Sequence, residues 1–111
     1  MKNYTSYDLI EWGKPFEKSQ HALPEPTLSE VLIRVTAAGL CHSDLHVQKG
    51  YMDLGEEGRL TFAERGAQLP MTFGHEIAGI VEAVGDKVKN VSIGQQVLVF
   101  PWIGCGDCLA C

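Results

Sequence analysis

The densest chemistry lies in Cys105-Gly106-Asp107-Cys108-Leu109-Ala110-Cys111, a C-x-x-C-x-x-C run. Each two-residue spacer allows a tight turn that aims successive sulfurs at one point, with nearby backbone N–H groups available to them. Zinc favours four such ligands in a tetrahedron, and structural zinc sites are usually closed, cysteine-rich cages. Three are present, so a fourth cysteine is expected a short loop beyond Cys111. An iron–sulfur cluster is compatible with the local spacing, although the bacterial ferredoxin pattern continues with a further cysteine and a proline. A thioredoxin-like redox pair needs a βαβ context that this chain lacks.

A second constellation is split along the chain, in Gly39-Leu40-Cys41-His42-Ser43-Asp44-Leu45-His46 and Gly74-His75-Glu76. A catalytic zinc takes fewer protein ligands than a structural one, because one position stays open. Cys41 and His75 can supply a thiolate and an imidazole. Asp44 is a candidate to orient His75 through its second ring nitrogen. Ser43 offers a hydroxyl for a proton path, and His46 titrates near neutral pH and can carry the proton onward. Taken singly these residues have plainer explanations, since a lone cysteine is more often a small buried apolar side chain.

The rest of the sequence bounds what these residues serve. At 111 residues, 45% hydrophobic and 21% charged, the chain is expected to form one small globular domain. A net charge of −5 with mixed signs argues against nucleic acid or an anionic membrane as partner. No apolar run is long enough to span a bilayer, and Met1-Lys2-Asn3-Tyr4-Thr5-Ser6 lacks the apolar stretch of a signal peptide, so a cytoplasmic protein is expected. In a reducing compartment the four cysteines point to metal rather than disulfides.

The elements that must position the chemistry are short. The pattern predicts strands over Tyr4–Ile10, Val31–Thr36, Ile77–Val84 and Val97–Phe100, the last fully buried. In the second strand Val31, Ile33 and Val35 are expected on one face, with Leu32, Arg34 and Thr36 on the other. His21–Thr27, with Pro24 and Pro26, is expected as an extended connector. Cys41–Gln48 suits one or two helical turns. Tyr51–Pro70 suits a surface excursion with a short helix around Leu60–Glu64. Short strands between Gly and Pro punctuation imply a mainly β, barrel-like domain, and no G-x-G-x-x-G turn marks a dinucleotide-binding unit.

Gly74-His75-Glu76, followed by Gly79, Gly85 and Val88, resembles the signature of zinc-containing alcohol dehydrogenases of the medium-chain family. Ala37-Ala38-Gly39-Leu40-Cys41-His42-Ser43-Asp44 is similar to that family's first zinc-ligand segment, and Cys105, Cys108 and Cys111 to its structural-zinc lobe. Leu69-Pro70-Met71-Thr72-Phe73-Gly74-His75-Glu76 and the Pro101-Trp102 pair resemble the archaeal-type tetrameric NAD-dependent members.

The resemblance implies a GroES-like, partly open β-barrel with short helices over residues 1–111, cut within the structural-zinc lobe, and a Rossmann domain elsewhere in the complete enzyme. It implies catalytic zinc on Cys41 and His75, with Glu76 as an alternating ligand and a further cysteine beyond Cys111. His42 would approach the cofactor pyrophosphate, Ser43 and His46 would form the proton relay next to the cofactor, and Trp102 would line the substrate pocket. The implied reaction oxidises alcohols to aldehydes or ketones with hydride transfer to NAD, NADP being the alternative, in a homotetramer. The 111-residue piece alone is expected to be inactive. Gly94-Gln95 departs from the family's usual Gly-Asp. Two other readings are a non-catalytic GroES-like zinc-binding scaffold and a zinc-free quinone reductase relative, and the cysteine lobe weighs against the second.

Overall fold

The structure is a computed structural model that describes residues 2–111. Along the chain run β1 (Asn3–Leu9), β2 (Glu17–Ala22), β3 (Val31–Gly39), α1 (His42–Lys49), β4 (Tyr51–Asp53), a 3-10 turn (Gly55–Glu57), β5 (Arg59–Thr61), β6 (Met71–Thr72), β7 (Glu76–Val84) and β8 (Gln96–Val99). The expected mainly β architecture is what the chain adopts. No helix among the described residues is long and apolar enough to cross a membrane. The residues divide into two compact units, one comprising the chain through Leu23 and then Leu40–Gly74, the other Pro24–Gly39 and His75–Cys111.

The first unit is built on an antiparallel sheet in the order β2-β1-β6. Strand alternation puts Tyr4, Ser6 and Asp8 on one face of β1, and their partners His21, Ser19 and Glu17 share that face. Ser6 and Asp8 are buried there, while the neighbouring Leu9 is 0% exposed and anchors the apolar core. A buried carboxylate is costly unless hydrogen-bonded, and Asp8 is well supplied. Thr72 Oγ1 donates to it at 2.7 Å, and His21 Nε2 lies 3.4 Å from Asp8 Oδ2 and 3.0 Å from Ser6 Oγ. The bonds from Thr72 and then Ser19 hold the Asp8 carboxyl at about 2, below its ordinary 3.8.

β2 was not expected as a strand. Its sequence, Glu-Lys-Ser-Gln-His-Ala, has no apolar alternation. It forms because an edge strand pairs through its backbone, and its polar side chains remain largely exposed. The expected connector therefore begins only after Ala22.

Helix α1 ends at Gly50, whose left-handed φ of 91° lets its N–H reach the carbonyls of His46 and Val47, each at 3.0 Å. The space above Gly50 is closed by Trp12, whose ring atoms would stand 3.2 Å from an added Cβ. The turn after β1 is tied to the same end of the helix. Gly13 N–H donates to Gln48 O at 2.7 Å, and Gln48 Nε2 donates to Lys14 O at 2.8 Å.

Beyond the helix, β4 and β5 form a hairpin, with Tyr51 opposite Thr61 and Asp53 opposite Arg59. The helix expected around Leu60–Glu64 is absent, because the hairpin takes that segment's first residues. Asp53 Oδ1 accepts the Gly55 N–H at 2.9 Å and Leu54 N–H reaches Gly58 O at 2.7 Å, which closes the turn. The Arg59 guanidinium lies 4.2 Å from the Tyr51 ring centroid.

The second unit carries a sheet in the order β3-β7-β8. The pairing of β3 with β7 shifts register between Leu32 and Ile33 and again between Val35 and Ala37. The first leaves Glu82 of β7 without a partner in the ladder and the second Thr36 of β3, so alternation along Val31–Val35 is not interrupted and only Thr36 falls out of step. Val31, Leu32 and Ile33 are all half-buried, whereas Val35 is 55% exposed. Val81, at the centre of β7, is 1% exposed and forms the core of this unit. β8 was expected to be buried throughout, but Leu98 is 84% and Phe100 77% exposed. β8 is the edge strand of this sheet and covers only the face bearing Val97 and Val99.

Candidate metal centre

The cysteine run forms one site within the second unit. The Sγ atoms of Cys105, Cys108 and Cys111 lie within 4.8 Å of one another. Cys105 Sγ accepts the N–H groups of Asp107 at 3.4 Å and Cys108 at 3.3 Å, and Cys108 Sγ accepts the Cys111 N–H at 3.3 Å. The C-x-x-C spacing thus turns backbone donors toward the sulfurs of Cys105 and Cys108, as the sequence predicted. Those donors, Asp107 first and Cys108 next, bring the Cys105 thiol down to about 6 from 9.0. Three sulfurs this close, supplied with N–H donors that favour the thiolate, suit three corners of a tetrahedral zinc site with Zn–S distances of about 2.3 Å. All three side chains are exposed.

Cys41 lies in the first unit, where it caps α1 in an extended conformation with φ −98° and ψ 149°. The cap is reciprocal. Asp44 N–H donates to Cys41 O at 3.0 Å, and Asp44 Oδ2 accepts the Cys41 N–H at 3.1 Å. An acidic residue at this third helical position also complements the positive end of the helix. Asp44 is buried, and its carboxylate fixes the backbone that carries the Cys41 side chain. His42 and Ser43 occupy the exposed first turn, and His46 is half-buried one turn on. The His42 and His46 rings meet edge to face with centroids 4.7 Å apart.

His75 and Glu76 lie in the second unit, at the start of β7. The β3–β7 register sets Glu76 opposite Gly39. Two residues after Gly39 the chain reaches Cys41, and His75 directly precedes Glu76. The pairing therefore ends β3 two residues before Cys41 and starts β7 one residue after His75. The Glu76 carboxylate lies over the Gly39 Cα, where an added Cβ would collide with it. Sequence reasoning gave Gly39 no such task. The signal was the run of small residues Ala37-Ala38-Gly39 directly before Cys41, which leaves room for a carboxylate at the strand's end.

Taken singly, Cys41 offers a thiolate, His75 an imidazole and Glu76 a carboxylate, each a donor that zinc accepts. Trp102 follows β8 and is 79% exposed.

Comparison with known proteins agrees with the fold and the motifs. Residues 27–111 match the family described as the alcohol dehydrogenase GroES-like domain. The chain is 46% identical over 104 residues to NAD-dependent alcohol dehydrogenases of Sulfurisphaera tokodaii and of Saccharolobus solfataricus, an alignment covering 93% of this chain and 28% of each relative. It therefore spans little more than a quarter of their length. Among solved structures, it is similar to an alcohol dehydrogenase zinc-binding domain protein from Burkholderia ambifaria, with a TM-score of 0.77 and 35% identity, covering 99% of this chain and 26% of that one. The resemblance seen in the motifs is borne out, and the chain belongs to the alcohol dehydrogenase GroES-like domain family.

Proposed function

We propose that the protein is an NAD-dependent alcohol dehydrogenase in which this chain supplies three ligands to each of two zinc sites and the proton path. The observation that carries the reading is the β3–β7 register, which sets Glu76 opposite Gly39 and so starts the Cys41 and His75 segments from adjacent backbone. When bound, zinc supplies Lewis acidity toward the alcohol oxygen and NAD accepts the hydride.

The chain's own residues do the rest. Cys41 and His75 hold the catalytic zinc, and Glu76 is the alternating ligand. Asp44 keeps its hydrogen bond to the Cys41 backbone and also orients the His75 ring. Ser43 Oγ accepts the alcohol's proton and passes one to the His46 ring, from which it leaves for solvent. His42 lies toward the cofactor's pyrophosphate, and Trp102 lines the substrate pocket. Cys105, Cys108 and Cys111 hold a second, structural zinc. NAD rather than NADP is supported by similarity to the two NAD-dependent relatives, and the homotetrameric assembly and cytoplasmic location expected from the sequence complete the reading.

The test joins metal analysis to turnover. In the complete protein, two zinc ions per chain and alcohol-dependent NADH formation are expected. Ser43→Ala should retain both zinc ions and lose roughly 10²-fold or more in turnover. Full turnover in that variant would overturn the relay. One zinc per chain with no alcohol oxidation would favour the scaffold reading.

A further inference from the structure

Helix α1 carries a pair of imidazoles that a metal ion can bridge. His42 and His46 are four residues apart, so they project from the same side of the helix one turn apart. Their ring centroids are 4.7 Å apart with the planes at 82°. Two histidines at this spacing on a helix are a recurring bidentate chelate, because a rigid backbone already holds both rings within reach of one ion. The edge-to-face packing shows that no large movement is needed to bring them together. A rotation of one ring turns the packing contact into a shared coordination sphere. His42 is exposed and has room for that rotation, while His46 is half-buried and steadier. Lys49, three residues beyond His46, is exposed, and its flexible stem lets the ammonium swing clear of an incoming cation.

We propose that His42 and His46 form a two-imidazole site for an additional divalent transition-metal ion, of the class that prefers nitrogen ligands, with water completing its coordination. This site is distinct from the cysteine lobe and from the Cys41, His75 and Glu76 ligand set. It uses only ring nitrogens of α1 and shares no ligand with either zinc site. Its consequence rests on the function proposed above. An ion held there occupies the relay imidazole and the side chain assigned to the cofactor pyrophosphate together, and it inhibits the enzyme in competition with NAD.

The test titrates Ni2+ into the complete, zinc-saturated protein by calorimetry, with zinc content checked before and after. One Ni2+ per chain is expected without loss of zinc. Because the second imidazole binds intramolecularly, His42→Ala and His46→Gln should each weaken binding by roughly 10²-fold. Circular dichroism of both variants verifies that α1 is retained. Ni2+ binding unchanged in both variants, or binding only with release of zinc, overturns the site. Binding that disappears in both variants but leaves turnover unaffected keeps the site and rejects the assignment of His46 to the proton path, so the two readings fail separately.

Discussion

Thr72 Oγ1 donates a 2.7 Å hydrogen bond to Asp8 Oδ1, joining β6 to the middle strand of its sheet directly before the segment that leads to His75. This bond is the largest cause of the low Asp8 pKa, about 2 against an ordinary 3.8. A carboxyl whose folded pKa is depressed adds stability above its unfolded pKa and loses it as pH falls through the folded value. Stability from Asp8 is therefore complete above about 3.8 and fades toward about 2. Thr72→Val should lower stability at neutral pH and flatten the acid limb between those values, read from urea midpoints across the range. A variant curve that is shifted but parallel to the parent's would contradict this coupling.

Gly39 makes room for the Glu76 carboxylate. Gly39→Ala puts a methyl group into occupied space and should cost about 1–3 kcal/mol in denaturant unfolding. Because the clash is with one side chain, Gly39→Ala combined with Glu76→Ala should recover much of that loss. Additive losses in the double variant would place the strain elsewhere.

At Gly50 the backbone conformation and Trp12 both exclude a side chain. Gly50→Ala combines a left-handed φ with a tight contact, and a loss of about 1–2 kcal/mol is expected from the backbone alone. Trp12→Ala should not rescue it, since removing the ring leaves the positive φ unchanged. Rescue would assign the cost to packing.

Cys108 both receives the Cys111 N–H and donates its own N–H to Cys105. Cys108→Ser should reduce zinc by one equivalent per chain, measured by elemental analysis. A chelator should lower the thermal midpoint of the parent protein through this lobe, because metal binding at a structural site contributes folding free energy. If the variant keeps its full zinc complement, Cys108 is not a ligand.

The strands most legible in the sequence were those whose side chains do the packing. Val31–Thr36 and Ile77–Val84 are rich in β-branched residues, and they appear within β3 and β7. Helix α1 was legible from its length and punctuation. β2 was not, because its pairing is made by backbone groups and Glu17–Ala22 carries no apolar period. The β4–β5 hairpin was hidden for a related reason, since three-residue strands are too short to show one. The metal lobe was readable because its geometry is local, with every N–H to sulfur bond spanning two or three residues. The place of Gly39 beneath Glu76 was not, because it depends on two shifts in the β3–β7 pairing, one in each strand, that no side-chain pattern announces.

The pairing of Gly39 with Glu76 also has a consequence for chain entropy. The stretch from Leu40 to Gly74, although it holds α1, the β4–β5 hairpin and β6, is closed at its ends by that pair, and closing a span of that size costs conformational freedom that rises slowly with length. The proposed ligands Cys41 and His75 stand at the neck of this span. The last rungs of the β3–β7 ladder carry that closure cost, so the ladder should fray first at the end where Gly39 meets Glu76.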